Sequence, residues 1–492
     1  MKLMKPYLSK SQFLRGHQCG KSLWLLRNRP ELAAPADASL LNAFETGSEV
    51  GRVAHALFPG GVEVTYDANL NRMIGATKGF IKSGFDTVYE GAFRHDNVLV
   101  LADILHEGPG GWEVYEVKSS TEVKDINLYD LSVQYYVLKG AGLDVAKACL
   151  VLIDSSYVRS GPLDAVSLFK TVDLTDRVRD IQGRVVEELK TMRSTLEGGY
   201  PDIDIGPWCT DPYICDFIPH CWAHIPENSV FDLRGRGIDK FESYGRGVVS
   251  FEDLDPAVLN EAQRMQVTAE LTGAVTLDRE AIRGFLSTIH YPLCFLDFET
   301  LRLAIPPFDG TSPYERIPFQ YSLHCMESEG AEPVHHEFLA REGTDGREEL
   351  VKGLVGLVPE GACVVVYNMS FEKSVLDCLA RGSPACAKEL ARVSEGIVDL
   401  MVPFKNRHYY TREMRGSYSL KSVLPALLPG LDYRGLEISN GEEASIVFST
   451  LHLNPDREVV ERIRGELLEY CAFDTMALLE LVKKLKELEK TF

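Results

Sequence analysis

The stretch from Asn97 to Ser120 constrains the fold of this chain more than any other part of the sequence. β-Branched residues on both sides of the turn-forming run 109–111 predict two antiparallel strands. Asp103 lies late in the first strand. Glu116 and Lys118 lie two apart on the second, so the pleat puts both on one face. Carboxylates that hold Mg²⁺ or Mn²⁺ beside a lysine suit metal-assisted hydrolysis of a phosphodiester. The alternative is an exposed hairpin with ordinary surface charges.

Length and composition set the class of protein. A chain of 492 residues with 45% hydrophobic and 25% charged residues predicts two or three globular domains. Its formal charge of −20 argues against a protein that coats nucleic acid through bulk positive charge, but it is compatible with a nuclease. Apolar runs are too short for a membrane helix and the first residues lack the core of a signal peptide, so we expect a cytoplasmic protein.

Around the hairpin, apolar periodicity predicts several helices. The two that carry candidate residues are Gly47–Phe58, with His55, and Leu128–Ala141, with Gln134. A lone histidine on a helix is either structural or close to a metal, and the sequence leaves both open for His55. Single long helices are also predicted over 12–29 and 173–196.

Three cysteines follow the first half of the chain at even spacing. Cys209, Cys215 and Cys221 form a C-x5-C-x5-C pattern, and the prolines between them exclude a regular helix. Cys19 is the best candidate for a fourth ligand. The pattern has no zinc-finger C-x2-C pair, which favours a 4Fe–4S cluster over zinc. Buried structural cysteines are the alternative, and a disulfide framework is not expected in a cytoplasmic chain of eleven cysteines.

One early cysteine, three late ones and the D…EVK hairpin between them resemble the iron–sulfur subgroup of RecB-like PD-(D/E)XK nucleases. That subgroup includes AddB-type helicase–nucleases and the four-cysteine nuclease of CRISPR adaptation. The resemblance covers about Pro6 to Trp222 and implies that the cluster joins the two ends of the domain. It assigns His55, Asp103 and Glu116 as metal ligands, and Lys118 as the catalytic lysine. Gln134 and Tyr135 lie near the Q-x-x-x-Y helix of the family, but Leu138 replaces its tyrosine.

The second half opens with a further acidic pattern. Asp297 and Glu299 lie on one face of a predicted strand over 294–299. A strand and turn follow, and then a helix with Glu372 in its first turn. On a strong C-terminal helix, Tyr470 and Asp474 are four residues apart and share a face. A generic α/β domain is the alternative.

This order resembles the tyrosine form of DEDD 3′–5′ exonucleases, which have a ribonuclease-H-like fold. The resemblance implies that Asp297, Glu299 and Asp474 hold two Mg²⁺ ions and that Tyr470 positions the attacking water. Glu372 stands where the family has an aspartate and is assigned as a catalytic residue; its longer side chain would bind metal through water or change the ion preference. Asp399 is a weaker candidate, with a structural role as the alternative.

A basic and aromatic stretch over 404–421 adds a possible contact for nucleic acid. Cations for phosphates beside rings for bases are how single strands are bound. A solvated loop is the alternative. Its basic and aromatic residues are Lys405, Arg407, Tyr409, Tyr410, Arg412, Arg415, Tyr418 and Lys421.

Together these patterns predict α/β folds in both halves: a PD-(D/E)XK restriction-endonuclease-like domain over 1–228, a helical linker over 229–289 and a ribonuclease-H-like domain over 290–492. The order resembles an uncharacterised bacterial two-domain family. The expected function is a metal-dependent DNA nuclease with two active sites, in repair, processing or defence. A nucleic-acid-binding scaffold with inactive sites is the alternative, as is an RNA-processing exonuclease. The expected cofactors are a 4Fe–4S cluster and Mg²⁺ or Mn²⁺. The expected partners are single-stranded DNA or DNA ends, with RNA and an unidentified helicase or defence protein left open.

Overall fold

The computed structural model describes residues 7–490. Residues 1–6 lie outside that range, and with them the start of the first predicted domain, the start of the first resemblance at Pro6 and the first part of the segment considered for a signal peptide. Residues 491–492, the end of the second predicted domain, also lie outside it. The chain divides into two compact units. The first unit contains 1–224 and 303–314, and the second contains 225–302 and 315–492. Residues 229–289, predicted as a linker, therefore belong to the second unit together with 225–228, which were predicted to end the first domain. Residues 303–314, predicted in the second domain, belong to the first unit.

The first unit mixes helices with one large sheet. Its strands are β1 (Leu8–Ser9), β2 (Val62–Glu63), β3 (Thr87–His95), β4 (Val98–Gly108), β5 (Gly111–Lys118), β6 (Val145–Ile153) and β7 (Phe169–Asp173). Its helices are α1 (Lys10–Gln18), α2 (Gly20–Asn28), α3 (Ala38–Ala54), α4 (Leu70–Lys82), α5 (Asp125–Gly140), α6 (Ala165–Leu168), α7 (Thr175–Asp180), α8 (Gln182–Glu197) and α9 (Ile218–Cys221).

The predicted hairpin forms the centre of this sheet. The strand order is β2-β3-β4-β5-β6-β7, and β1 pairs with β4. β3, β4 and β5 are antiparallel neighbours, whereas β6 runs parallel to β5 after the crossover through α5. Gly111 has φ +122°, a conformation that favours glycine, and it closes the turn. The hairpin is confirmed.

Apolar side chains cover both faces of the sheet. One face packs against α1, α5 and α8, with Leu131 and Leu189 in its core. On the other face Val50 of α3 packs with Tyr115 and Val117 of β5. Ala304 of the 303–314 segment is buried in this second core. The segment therefore contributes to the packing of the first unit.

Two of the long helices predicted in the first unit are interrupted in the structure. Cys19 has an extended backbone, with φ −158° and ψ 115°, and separates α1 from α2. Ile181 separates α7 from α8, and Asp173 ends β7 instead of starting a helix. Apolar periodicity continues through both interruptions, so it does not reveal them. The break at Cys19 places its thiol at a helix junction.

The second unit also mixes helices and strands. Its strands are β8 (Thr276–Leu277), β9 (Leu293–Leu301), β10 (Ile317–Met326), β11 (Val334–Leu339), β12 (Cys363–Val366), β13 (Ile397–Asp399) and β14 (Tyr409–Tyr410). Its helices are α10 (Lys240–Gly245), α11 (Glu261–Thr272), α12 (Arg279–Leu286), α13 (Arg347–Leu357), α14 (Met369–Gly382), α15 (Ala387–Glu395), α16 (Val402–Lys405), α17 (Leu420–Leu427), α18 (Gly441–Leu451) and α19 (Arg457–Lys490).

A five-stranded sheet organises this unit. Its order is β11-β10-β9-β12-β13. β9, β12 and β13 are parallel, whereas β10 is antiparallel to both of its neighbours. β8 and β14 form a separate two-stranded sheet. The strand with the D-x-E pattern is therefore the central strand of the larger sheet.

The structure contains one disulfide that the sequence analysis does not predict. Cys294 of β9 and Cys325 of β10 are directly opposite in the antiparallel register, and their sulfurs are bonded. Direct opposition brings two Cβ atoms close enough for such a bond. The four cysteines of the predicted cluster are free thiols. None of the helices between residues 7 and 490 has the length and apolar character of a membrane-spanning segment.

Candidate active sites

The hairpin brings three predicted residues of the first site together. Lys118 Nζ lies 2.6 Å from Glu116 Oε1, as expected for residues on one face of β5. Asp103 Oδ2 accepts a hydrogen bond of 2.8 Å from the Val117 backbone N–H, which ties it to the same strand. Glu116 is only 2% exposed.

Two further charged residues, absent from the sequence-based site, complete this cluster. Lys10 Nζ lies 2.7 Å and 2.9 Å from the two oxygens of Glu116 and 3.4 Å from Asp130. Asp130 also accepts a hydrogen bond of 2.6 Å from Lys118. Asp130 precedes Gln134 by one helical turn of α5, a signal that could have identified it. Lys10 is 106 residues from Glu116, and no local pattern links the two.

Gln134 lies at the centre of this network. Its Nε2 donates to Glu116 at 2.7 Å and to Asp130 at 3.1 Å. Its Oε1 is buried and has no hydrogen-bond partner among the described residues. Tyr135 and Leu138 are buried in the core. The Gln134 amide therefore orients the carboxylates.

The electrostatics of the first site follow from burial and close charges. Burial and the negative charge of Glu116 raise the pKa of Asp103 to about 8. Burial also disfavours the charged form of Glu116, but Lys10 and Lys118 outweigh it and hold the pKa of Glu116 below its ordinary value. Burial raises the pKa of nearby Glu90 on β3. Two ammonium groups thus face the carboxylates of Glu116 and Asp130.

His55, the remaining predicted residue of the first site, lies in a different setting. It follows the last residue of α3, and its ring stacks on Tyr89 with 3.9 Å between centroids. Burial lowers the pKa of His55. Across residues 7–490, no hydrogen bond or ion pair joins the His55 ring to Asp103 or Glu116. Its observed contact is aromatic packing.

The second acidic cluster lies on β9 and α19. One oxygen each from Asp297, Glu299 and Asp474 lie within 4.8 Å of one another. Burial and repulsion from neighbouring carboxylates raise the pKa values of Asp297 and Glu299 well above their ordinary range. Burial raises the pKa of Asp474 to about 6. The three predicted ligands therefore come together as a close group of like charges.

Two tyrosines hold Asp474. Both Tyr470, one turn earlier on α19, and Tyr433 donate hydrogen bonds to its carboxylate. Tyr433 lies in the short segment after α17, and no spacing in the sequence identifies it. The sequence predicts one tyrosine at this site, and the structure provides two.

Two features partly offset the negative charge of the second cluster. The ammonium of Lys421, at the start of α17, interacts with Asp474 and Glu299. The N-terminus of α18 approaches Glu299 so closely that a Cβ on Gly441 would lie 3.1 Å from its Oε2. A helix N-terminus carries partial positive charge and stabilises a carboxylate.

Glu372 is buried next to this cluster. It is 1% exposed on α14, and its Oε2 has no hydrogen-bond partner among the described residues. Burial and the charge of Asp297 raise the pKa of Glu372 well above its ordinary value. The Cys471 thiol lies 3.6 Å from Asp297 Oδ2. An unpartnered buried carboxyl oxygen is costly, so a ligand would relieve it.

The weaker candidate Asp399 has a structural role. Its carboxylate accepts backbone hydrogen bonds of 3.1 Å from Asn368 and from Met369, at the start of α14. A third, from Met401, measures 3.0 Å. These bonds satisfy N–H groups that a helix start leaves without partners.

The prediction that the rings of segment 404–421 bind bases is largely wrong. Tyr409 and Tyr410 are buried, because their strand β14 pairs with β8. The Arg407 guanidinium lies 4.6 Å from the centre of the Tyr410 ring and donates to a backbone carbonyl. Tyr418, at 39% exposure, is the ring of this segment that faces solvent. Lys405, Arg412, Arg415 and Lys421 are exposed.

The four candidate cysteines surround one cavity. Cys19 lies at the junction of α1 and α2, Cys209 and Cys215 come from the loop after α8, and Cys221 is the last residue of α9. Burial raises the pKa values of the Cys19 and Cys221 thiols. The loop is fastened to α1 by Arg15, which lies 2.6 Å and 3.0 Å from the carboxylate oxygens of Asp216. The meeting of Cys19 with the late cysteines, predicted from the sequence, is confirmed.

Comparison with known proteins gives one match. The sequence profile of a family described as a domain of unknown function, DUF2779, matches residues 294–419. That range contains the D-x-E strand and Glu372 but ends before the helix with Tyr470 and Asp474. No curated protein and no solved structure gave a significant match to the chain.

Proposed function

We propose that the second unit is a metal-dependent 3′–5′ exonuclease of the DEDD type. The observation that carries the proposal is the group of three carboxylates within 4.8 Å, with Asp474 held by Tyr470. The strand order β11-β10-β9-β12-β13, with β10 antiparallel to its neighbours, supports a ribonuclease-H-like fold. In that fold the central strand carries the first two acids.

The donor set of this site fits Mg²⁺ or Mn²⁺. Hard divalent cations bind carboxylate oxygens, and here Asp297, Glu299 and Asp474 would hold them. The unpartnered oxygen of Glu372 adds an acceptor that the protein leaves unsatisfied. When bound, the cations stabilise charge on the phosphate and activate water. Tyr470 and Tyr433 orient Asp474, and Lys421 offers a cation for substrate phosphate.

We propose a second nuclease site, of the RecB-like PD-(D/E)XK type, in the first unit. Its support is the β3-β4-β5 antiparallel sheet extended by parallel β6, with Asp103, Glu116 and Lys118 together on the hairpin. Asp103 and Glu116 are oxygen donors suited to Mg²⁺ or Mn²⁺. Lys118 orients water or balances developing charge. Gln134 fixes Glu116.

We propose that the cysteine cavity holds a 4Fe–4S cluster. Four thiols around one cavity are a complete ligand set for either this cluster or zinc. The C-x5-C-x5-C spacing of the late cysteines, which lacks a zinc-finger C-x2-C pair, favours the cluster.

Single-stranded DNA or DNA ends are the proposed substrate class, in repair, processing or defence. One observation favours the alternative of a binding scaffold for the first unit. Both oxygens of Glu116 already accept hydrogen bonds from lysine or glutamine side chains. A divalent cation would have to displace at least one of them. RNA as substrate is tested by the same experiment.

The deciding experiment follows the cleavage of end-labelled DNA and RNA with Mg²⁺ or Mn²⁺. Asp297→Asn should slow 3′–5′ degradation by at least about 1,000-fold and leave the other activity unchanged. Lys118→Met should slow the activity of the first site and leave 3′–5′ degradation unchanged. Matched controls are Glu469→Gln, an exposed acid beside Tyr470, and Lys139→Met, an exposed lysine of α5. Binding without cleavage by the wild type would favour the scaffold. Loss of both activities in either variant would contradict the two-site proposal.

Iron content is a separate test of the cavity. Protein purified without oxygen should be brown and absorb broadly near ~400 nm, as expected of thiolate-ligated iron–sulfur clusters. Cys19→Ser should lose iron and colour, whereas Cys386→Ser, outside the cavity, should keep both. Colourless protein with stoichiometric zinc would overturn the cluster assignment.

A further inference from the structure

Lys10 is placed in the first site by the start of α1. It is the first residue of that helix, and Ser9 caps the helix through its side chain. Its side chain is 22% exposed, and its Nζ lies 2.7 Å and 2.9 Å from the two oxygens of Glu116. The same Nζ lies 3.4 Å from Asp130. Lys10 therefore bridges two buried carboxylates that Lys118 also contacts.

Lys10 and a divalent cation would compete for Glu116. Both carry positive charge, and repulsion between them is strong in a site where Glu116 is 2% exposed. Removing the ammonium should therefore strengthen cation binding. The same ammonium holds both oxygens of Glu116 in one orientation. Its loss should misplace Glu116 and remove a charge that balances the anionic transition state.

The other end of α1 is fastened near the cysteine cavity. The nine residues of α1 form a rod about 13 Å long. Arg15 pairs with Asp216 at 2.6 Å, and His17 lies 3.0 Å from Glu188. Cys19 follows the helix and lines the cavity. These contacts anchor the far end of the helix that begins with Lys10.

We propose that Lys10 is a positioning residue of the first site and that the cysteine cavity holds it there through α1. The inference rests on the proposed nuclease function of the first unit. It predicts a specific combination of effects for Lys10→Met: tighter cation binding together with slower turnover. Damage to the fold would instead weaken cation binding and slow turnover together.

The test uses a background in which Asp297→Asn and Asp474→Asn disable the second site. Titration calorimetry with Mn²⁺ reports binding, and cleavage of labelled DNA at saturating Mn²⁺ reports turnover. Lys10→Met should bind Mn²⁺ at least about threefold more tightly. It should turn over at least about tenfold more slowly. Lys10→Arg keeps the positive charge and should stay within about threefold of the background on both measures, and Lys139→Met should match the background.

The outcomes separate this inference from the proposed function. If the background cleaves nothing but binds Mn²⁺, the nuclease proposal fails and the binding of Lys10→Met still tests Lys10. Weaker Mn²⁺ binding by Lys10→Met would overturn its role, as would unchanged turnover in an active background. Absence of Mn²⁺ binding to the background would overturn both proposals.

The link through α1 has its own test. Cys19→Ser should lose iron and slow the first site, and adding Lys10→Met to it should slow the site no further. Circular dichroism and thermal melting establish that the variants are folded. If a folded Cys19→Ser protein loses iron but keeps full turnover, the cavity does not hold Lys10.

Discussion

The two acidic sites differ in what surrounds their carboxylates. In the first unit, Glu116 and Asp130 lie against the ammonium groups of Lys10 and Lys118. In the second unit, three carboxylates lie within 4.8 Å of one another, and Lys421 is the one lysine among the described residues that interacts with them. The first cluster is balanced by the protein itself. The second gathers negative charge that a bound cation would neutralise.

This difference separates two uses of a buried acid. A carboxylate paired with lysine contributes to stability as long as its partner remains, whereas carboxylates that repel one another reduce stability until a cation binds. Glu372 adds to the second case, because one of its oxygens is buried without a partner. The second site is thus arranged for a ligand even at some cost to the fold.

The largest expected effect appears when one carboxylate in each site is replaced by its amide in the absence of metal. The stability of the two units should then change in opposite directions. Glu116→Gln leaves the partly buried ammonium groups of Lys10 and Lys118 to share Asp130, so we expect the first unit to lose about 3 kcal/mol of unfolding free energy. Asp297→Asn removes repulsion, so we expect the second unit to gain about 1 kcal/mol. Hydrogen exchange in EDTA, read on peptides from β5 and β9, measures each unit separately.

Glu469→Gln serves as the control for that comparison and should change neither unit. Adding Mn²⁺ to the wild type should slow exchange in β9 more than in β5. If Glu116→Gln and Asp297→Asn changed the hydrogen exchange of their units in the same direction, the distinction between the two sites would be lost.

A smaller effect should distinguish the two tyrosines on Asp474. We expect Tyr470→Phe to lower turnover of the second site about 10- to 100-fold with little change in KM, because its hydroxyl also positions water in the proposed mechanism. Tyr433→Phe should lower turnover less than about fivefold, because Tyr470 still holds Asp474. Steady-state exonuclease kinetics of the two matched variants measure the difference. Equal losses would mean that both hydroxyls serve only to hold Asp474.

The smallest effect concerns acid stability of the second unit. Burial, with His335 and His336 nearby, lowers the pKa of His324 to about 4. The unfolded chain therefore binds a proton that the folded unit rejects between about pH 6.5 and 4, and stability falls as the pH drops through this window. From pH 7 to pH 5 the melting temperature of the wild type should fall about 2 °C more than that of His324→Gln.

His452→Gln, which changes an exposed histidine, is the control for that measurement. It should follow the wild type at both pH values. If His324→Gln lost as much as the wild type on acidification, protonation of His324 would not contribute to the acid response.

Elements with strong local patterns were predictable. The hairpin, α5, α14 and α19 follow from alternation, helical periodicity and turn residues, which act over a few neighbouring positions. The junction at Cys19 was not predictable, because apolar periodicity continues from α1 into α2. The burial of Tyr409 and Tyr410 was not predictable either, because it depends on pairing with β8, more than 130 residues earlier. Local patterns do not encode such distant partners.

The sequence by itself identified the acids of the two sites, with the exception of Asp130. Residues two apart on a strand share a face, which placed Glu116 with Lys118 and Asp297 with Glu299. Residues four apart on a helix also share a face, which placed Tyr470 with Asp474. Only the tertiary structure decided what those acids face. Lys10 and Tyr433 reach the two sites over 106 and 41 residues of chain, by packing of helices and loops onto the sheets. Charge balance depends on such distant contacts, because Coulomb energy falls with distance in space and is independent of separation along the chain.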